Sequence, residues 1–599
     1  MKDRGNWTRA LRLLWEVSPW HVGGVIALAA LASLLPAATV QLTTLAVQGV
    51  ADAVSSRGAQ EAVDRAFTAG VVLSVLMVLT HVLTIGRGYL ETLLQLRMAN
   101  NVNERIMAKA TRLRLEHFED STTYDRLQRA SREAAYRPYQ IFAHLISTVS
   151  SAVSLVAVSA VLLSWNVGVA VAILLAPLPS MASRVFYSRV GWKIENERSA
   201  DRRRATYLQY LVTNDRSFKE THLFGLGPLF LGRYRDLIGR FYRVDRDLER
   251  KQAVVSGLLG LLSVCAAVGA VLYALAVTID SGQVGQFAGY LSAITLVQST
   301  VQLLFGGLAM LYEHNLFLGN LFGFLDIEER APVSGAKPFP SVLRKGIEFR
   351  DVSFTYPGTD SPVLSRLNLT LSAGTCVALV GQNGAGKTTL VKLLARFYEP
   401  TGGQILIDDV PLDEYDLEDL RANIGVIFQD FVQYEATARE NIGFGRAGSL
   451  NDTDAIRDAA GRADALSFVE GLPNGIDTQL GRWFSGGSQL SGGQWQKVAL
   501  SRAFLRDAPI VVLDEPTAAI DAAAEAEIFA RMAEIAGRAT TLLIAHRFST
   551  VRVADHIVVI DRGQVLEEGS HGDLMAADGV YAKLFRLQAA GYLDDPISS

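Results

Sequence analysis

Cysteine is nearly missing from this chain: two in 599 residues, Cys265 and Cys376, lie in apolar runs far apart in sequence. That scarcity argues against a disulfide framework or a cysteine-built metal cluster. No basic excess is present either. The net charge is −4, whereas a nucleic-acid partner ordinarily leaves a basic stripe. Most telling is charge that is missing locally. No Asp, Glu, Lys or Arg occurs in 17–51, 66–86, 138–183, 252–279 or 281–312. A helix needs about 20 apolar residues to cross a bilayer. The third run is about twice that length and breaks near Ser164-Trp165-Asn166-Val167-Gly168, a turn between two spans. Six spans result. The first run is too long for the apolar core of a cleavable signal peptide and reads as a span.

Loop charge gives the orientation. Segments 87–137 and 184–251 are long, helix-patterned and arginine-rich, as in Asp201-Arg202-Arg203-Arg204, whereas 52–65, the Ser164 turn and the Asp280 region carry few basic residues. Positive charge stays on the cytoplasmic side, which places both long loops, the N-terminus and the second half there. Polar groups within the spans are few: Gln41, Thr43, Thr44 and Gln48, then His144, then Gln298, Ser299, Thr300 and Gln302. Intramembrane carboxylates or ammonium groups would suggest ion coupling. Only histidines such as His81 and His144 could serve, and a helix-to-helix hydrogen bond is their simpler role. The power source is therefore expected in the cytoplasmic half. A charged, proline-punctuated stretch from Asp326 to Lys345 marks the boundary.

Gly381-Gln382-Asn383-Gly384-Ala385-Gly386-Lys387-Thr388-Thr389 follows the apolar run Cys376 to Val380 and precedes a helix-like stretch. Strand, glycine turn and helix together make a phosphate cradle: backbone N–H groups and the helix dipole face an anion. Lys387 is placed to reach the β- and γ-phosphates, and Thr388 to hold Mg²⁺. Ile510 to Asp514 is a short buried-strand pattern ending in Asp514-Glu515. At the C-terminal edge of a parallel sheet, Asp514 can bind Mg²⁺ while Glu515 polarises an attacking water. Thr541 to Ala545 is a further strand and delivers His546 to that edge, for a γ-phosphate contact. Tyr356 sits in a strand-ending turn, where its ring could stack on a base. Leu490-Ser491-Gly492-Gly493-Gln494 opens another helix and forms a second anion-binding N-terminus. One nucleotide on one chain needs only one such cradle. The second is expected to close over ATP held by another copy.

These motifs resemble the nucleotide-binding domain of ABC transporters along the whole second half. Gly381 to Thr389 looks like the Walker A loop, Ile510 to Glu515 the Walker B strand and Leu490 to Gln494 the signature. The resemblance implies Tyr356 as the A-loop aromatic, Gln429 as the Q-loop glutamine and a Mg²⁺ contact, Ala518 to Asp521 as the D-loop, and His546 as the switch histidine. Six preceding spans are similar to the exporter-type half-transporters (type IV fold). The implied architecture is an all-α six-helix transmembrane domain over 1–325, a linker over 326–345, and an α/β P-loop domain over 346–599 with an antiparallel β-subdomain and a helical subdomain. Coupling-helix tips of the two long loops are expected near Phe118 to Arg126 and Gly227 to Tyr234.

Phe428-Gln429-Asp430-Phe431, Thr437-Ala438-Arg439-Glu440-Asn441-Ile442 and Gly481-Arg482-Trp483-Phe484 look like bacterial lanthipeptide exporters and related peptide exporters. Two departures from the commoner pattern stand out: Arg482-Trp483-Phe484 replaces an acidic residue, and Trp495 replaces arginine. These aromatics either pack between subdomains or take part in coupling. No Cys/His peptidase segment precedes the first span, so a peptide cargo is expected to lose its leader elsewhere. The resemblance implies a homodimer in a bacterial inner membrane, with a heterodimer possible, two ATP molecules with Mg²⁺ at the interface, and no nucleic-acid partner. The cargo is a peptide or amphipathic small molecule. A lipid or multidrug flippase, a siderophore importer and a non-transporting ATP sensor stay open as alternatives. Soluble DNA-repair and ribosome-associated proteins share the ATP engine, but six spans argue against them.

Overall fold

The computed structural model describes residues 3–120, 123, 126–128, 130, 137–328, 335–514, 539–545 and 551–593. The chain divides into two units: Met1–Thr111 with Ser121–Glu328, and Arg112–Asp120 with Glu329–Ser599.

The first unit is helical as described. It contains α1 (Asp3–Val17), α2 (Pro19–Ser55) and α3 (Gln60–Ala110). After the short α4 (Leu115–Glu119), which falls in the second unit, it continues with α5 (Arg137–Trp165), α6 (Val167–Leu175) and α7 (Leu178–Glu197). Then come α8 (Ser199–Thr213), α9 (Asp215–Leu223), α10 (Gly227–Ser281) and α11 (Val284–Leu325). Six stretches among the described residues are long and apolar enough to cross a bilayer, and each overlaps one of the charge-free runs or one half of the divided run. The divided run breaks at Asn166, whose side chain accepts the Val169 N–H at 3.0 Å and so caps α6.

Small and hydroxylated residues let these helices approach closely. A Cβ on Gly289 would lie 2.1 Å from Thr44 Oγ1 and 2.6 Å from the Trp165 ring, and one on Gly307 would lie 2.1 Å from Thr148 Oγ1. The span hydroxyls Thr43 and Thr44 satisfy themselves on carbonyls four residues back, at 2.8 and 2.9 Å. Gln48 instead crosses to α11 and accepts the Gly285 N–H at 2.9 Å. At the cytoplasmic end, Arg9 of α1 holds Asp326 through two 2.6 Å hydrogen bonds and lies over the Phe322 ring.

The short helices correct one expectation. The second long loop does not tip at Gly227 to Tyr234, which forms the first turns of α10. Pro228 sits at the start of that helix, where its missing N–H costs nothing. The short element comes earlier, as α9, and leaves Phe218, Leu223 and Phe224 exposed. In the first loop, α4 overlaps the expected stretch at Phe118 and Glu119.

Among its described residues the second unit carries two sheets. An antiparallel one runs β2-β1-β4-β5, built from β1 (Gly346–Phe354), β2 (Leu364–Ser372), β4 (Gly402–Ile407) and β5 (Val410–Pro411). The other runs β10-β9-β3-β8-β7-β6. Its members are β3 (Cys376–Val380), β6 (Ile424–Ile427), β7 (Ile510–Asp514), β8 (Thr540–Ile544), β9 (His556–Asp561) and β10 (Gln564–Gly569). All neighbours there are parallel except β9 and β10. Strands buried on both faces read as continuous apolar runs, and alternation divides them between two cores. Cys376, Ala378 and Val380 face a core shared with Val511, Leu513 and the helical subdomain. Val377 and Leu379 face the other, shared with Ile510, Val512 and the antiparallel sheet. Among the described residues the helices of this unit after α4 include α12 (Lys387–Leu394), α13 (Leu417–Ala422), α14 (Ala438–Gly443), α15 (Thr453–Arg462) and α16 (Leu466–Glu470). They end with α17 (Gly492–Arg506), α18 (His571–Ala576) and α19 (Val580–Leu593).

Candidate nucleotide-binding site

The parallel strands β3, β6, β7 and β8 all end at one edge, the place where a sheet of this kind receives ligands. Between β3 and α12 the chain turns through Gly384 at φ 83° and Gly386 at φ 103°, conformations that suit glycine. A Cβ on Gly381 would meet the Ile560 carbonyl oxygen at 2.2 Å, so the loop sits flush on the sheet. Lys387 opens α12, and its ammonium donates to the carbonyls of Gly381 at 2.6 Å and Gln382 at 3.0 Å. The next residue reaches the end of β7: Thr388 Oγ1 donates to Asp514 Oδ2 at 3.2 Å. A hydroxyl and a buried carboxylate side by side, next to a loop of backbone amides, are the oxygen donors a Mg²⁺–nucleotide requires. The residues fit that group.

Gln429 follows β6 by two residues and is exposed at the same edge. Glu515, Asp521 and His546 lie outside the described residues; Asp514 and Ala545 are their nearest described neighbours in sequence for the first and last. Tyr356 is half-buried, with its hydroxyl 3.1 Å from Thr389 Oγ1, and its ring stands edge-on to Phe354 and Tyr398.

The signature turn is built as a reciprocal cap. Ser491 Oγ accepts the Gln494 N–H at 3.3 Å, and Gln494 Oε1 accepts the Ser491 N–H at 2.9 Å. Those side chains are thus spent on the helix start. The Gly492 and Gly493 amides, at the first two helical positions, are left for a ligand.

Comparisons with known proteins bear on identity. The subtilin transport ATP-binding protein of Bacillus subtilis is 35% identical to this chain, over 82% of this chain and 80% of its own length. The chain is an ABC transporter. The ABC transporter family profile matches residues 364–518, which run from β2 through the phosphate loop and signature to the end of β7 and beyond. A bacterial Atm1-family ABC exporter with ATP bound has the same fold at a TM-score of 0.75 and 27% identity, covering 94% of this chain and 98% of that one. The ATP-dependent lipid A-core flippase of Bordetella pertussis is 37% identical over 58% of this chain and 55% of its own. This ABC transporter is accordingly a multi-pass membrane protein of the exporter fold, with an ATP-hydrolysing half on the cytoplasmic side that drives transport.

The unusual aromatics of this ABC transporter separate into two kinds. Trp495 is buried in the core shared by the sheet and the helical subdomain, so its reason is packing. Trp483 and Phe484 are 82% and 55% exposed and do not pack between subdomains. Glu435, in the loop after Gln429, accepts the Trp483 N–H at 3.2 Å. Gly481, at φ 92°, makes room for that carboxylate.

Three residues near the site escaped sequence reasoning. Arg502 on α17 donates to the Val432 carbonyl at 2.7 Å, to the Asn441 carbonyl at 2.8 Å and to Asn441 Oδ1 at 2.8 Å, and lies over the Tyr434 ring. It ties the segment after Gln429 to the signature helix, and burial brings its guanidinium down to about 10. Lys392 and Tyr398 flank Tyr356. Their partner, Glu119, is 273 and 279 positions away, a separation that no motif spacing reveals.

Proposed function

We propose that the chain exports a lanthionine-type peptide or a similar amphipathic molecule from the cytoplasm across a bacterial inner membrane, as a homodimer. The observation that carries this reading is the length of the match to the subtilin transport protein. The ATP-binding half alone is too short to supply it, so likeness extends into the spans, where cargo is handled.

In this mechanism the base of ATP stacks on Tyr356. Its phosphates take the amides of Gly381 to Thr389 and the Lys387 ammonium. Ser491, Gly492, Gly493 and Gln494 of a second copy close over the same nucleotide, with Asp521 completing contact across the pair. Shared between two helix N-termini, the phosphate charge holds the copies together. Thr388, Asp514 and Gln429 would hold Mg²⁺, which would neutralise phosphate charge. Glu515 polarises the attacking water, while Lys387 and His546 stabilise charge developing on the transferred phosphoryl group. Gln429 links the site to the loops of the membrane half. ATP binds the closed pair more tightly than the open one, and that difference shifts the spans between inward- and outward-facing states.

The test uses the full chain in lipid vesicles, with a lanthionine peptide carrying its leader, lipid A-type lipids and cationic dyes as candidate cargoes. Peptide-stimulated hydrolysis with peptide accumulation is the expected result. Stimulation and movement of lipid alone would replace the peptide reading with a flippase. ATP binding without any flux would make the protein a sensor.

A further inference from the structure

The second unit takes in Arg112–Asp120, the short segment that follows α3 in sequence. Within it, Glu119 uses both carboxylate oxygens on residues of the ATP-binding fold. Oε1 accepts from Lys392 Nζ at 2.9 Å, and Oε2 accepts a short hydrogen bond from the Tyr398 hydroxyl. Both of these side chains bear on Tyr356. The Lys392 ammonium lies 5.3 Å from the centre of the Tyr356 ring and 5.8 Å from that of Tyr398. The Tyr398 ring stands at 86° to Tyr356 with centroids 5.4 Å apart. Phe354 closes the remaining side of the aromatic group, edge-on to Tyr356 at 4.9 Å.

Tyr356 is therefore braced through two contacts that share one carboxylate. Burial pushes the Glu119 carboxyl up, but the hydrogen bonds from Tyr398 and Lys392 outweigh it and hold Glu119 below its ordinary range. The bracing charge is thus present throughout the physiological range. Without it, Lys392 loses its anchor and the Tyr398 hydroxyl loses its acceptor. The Tyr356 ring then keeps only the Phe354 edge and the Thr389 hydroxyl to fix its tilt, and base stacking depends on that tilt.

We propose that Glu119, acting through Lys392 and Tyr398, is a positioning residue for the base-stacking ring Tyr356. The affinity for the base of the nucleotide is then set in part by the segment that follows a membrane-spanning helix in the chain. The proposal rests on the nucleotide-site reading above and concerns the base alone, not the phosphates.

The test compares the intact transporter with Glu119→Ala, Glu119→Gln and Tyr398→Phe in lipid vesicles. Two quantities are read: KM and kcat for ATP, and the inhibition constant of ribose 5-triphosphate, which has no base. Loss of the brace raises the KM for ATP about 3- to 10-fold in Glu119→Ala and Tyr398→Phe, with kcat within about 2-fold and the ribose 5-triphosphate constant unmoved. Glu119→Gln, which keeps an acceptor for Tyr398 and loses the negative charge facing Lys392, gives a smaller rise. An unchanged KM for ATP in all three variants overturns the proposal. So does an equal shift for ATP and ribose 5-triphosphate, which would mark a general loosening of the fold. Failure of the nucleotide-site reading would show separately, as absence of ATP hydrolysis in the unmodified protein.

Discussion

Thr388 Oγ1 donates to Asp514 Oδ2 at 3.2 Å, and this one bond joins the first turn of the phosphate-loop helix to the end of a strand 126 positions later. Neither oxygen is arranged this way by local sequence. The parallel pairing of β3 with β8 and of β8 with β7 brings them together. If the pair holds Mg²⁺, Thr388→Ala should lower kcat for ATP at least roughly tenfold and raise the Mg²⁺ concentration needed for half-maximal rate. Thr388→Ser keeps the hydroxyl and should stay within about threefold. Steady-state ATPase assays across a Mg²⁺ series decide this, and equal defects in the two variants would remove Thr388 from the metal site.

Glu515 directly follows the buried Asp514 in sequence. As the residue that polarises water, it is needed for turnover and not for nucleotide capture. Glu515→Gln should hold ATP with near-normal affinity while hydrolysis falls by about 10²-fold or more. Equilibrium binding of labelled ATP beside a hydrolysis assay tests both halves of that statement. Hydrolysis near the unmodified rate would show that another group serves as base.

What could be read in the chain beforehand follows from how each signal arises. The spans were legible because a bilayer imposes a length and excludes charge, so a run such as 66–86 announces itself. The phosphate loop was legible because its chemistry needs glycine at fixed places, of which Gly384 and Gly386 now show the positive φ. The tip expected near Gly227 to Tyr234 was misplaced because the resemblance implies a loop without fixing its apex, and here Pro228 begins α10. Glu119, Glu435 and Arg502 were invisible for another reason. Each acts on a residue brought near only by tertiary folding, and a lone charge in a loop or helix looks like any solvated side chain.

Arg502 makes such a tertiary link, since its three hydrogen bonds end on two carbonyls and a side-chain amide oxygen. Arg502→Met leaves those acceptors without it. Hydrogen bonds to a charged group contribute about 1.5–3 kcal/mol each, though they do not add simply. A local cost of about 2 kcal/mol would speed exchange of the amides between Val432 and Asn441 roughly 30-fold. Hydrogen exchange read by mass spectrometry measures this directly. Unchanged protection there would mean that the loop is held by something else.

Arg9 and Asp326 offer a test by pH. Two hydrogen bonds from Arg9, together with its charge, hold the Asp326 carboxyl below its ordinary value of 3.8. A carboxylate depressed on folding contributes stability that is fully present above its unfolded pKa and vanishes as pH falls through the lower folded one. Attachment of α1 to the end of α11 should therefore be constant from pH 8 to 5 and weaken only below about 4. Both side chains are partly exposed, so the effect is small, within a few-fold in exchange of α1 amides. Asp326→Asn should produce the same loosening at pH 7. Loosening of α1 between pH 8 and 5 would point to a different titrating group.

The capped turn at Ser491 and the loop at Lys387 each supply half of what one nucleotide needs, so mixing two crippled proteins discriminates between self-contained and shared sites. Lys387→Ala spoils the phosphate loop, and Ser491→Arg fills the space before the Gly492 and Gly493 amides. Each protein alone should be nearly inactive. When the two are co-expressed and pair at random, about half of the dimers are mixed. In each mixed dimer the intact loop of one copy faces the intact signature of the other, while both defects fall on the opposite site. Activity should return to about a quarter of the unmodified level if the two sites turn over independently. Were each copy to hydrolyse ATP alone, every mixed dimer would carry two defective engines and no activity would return.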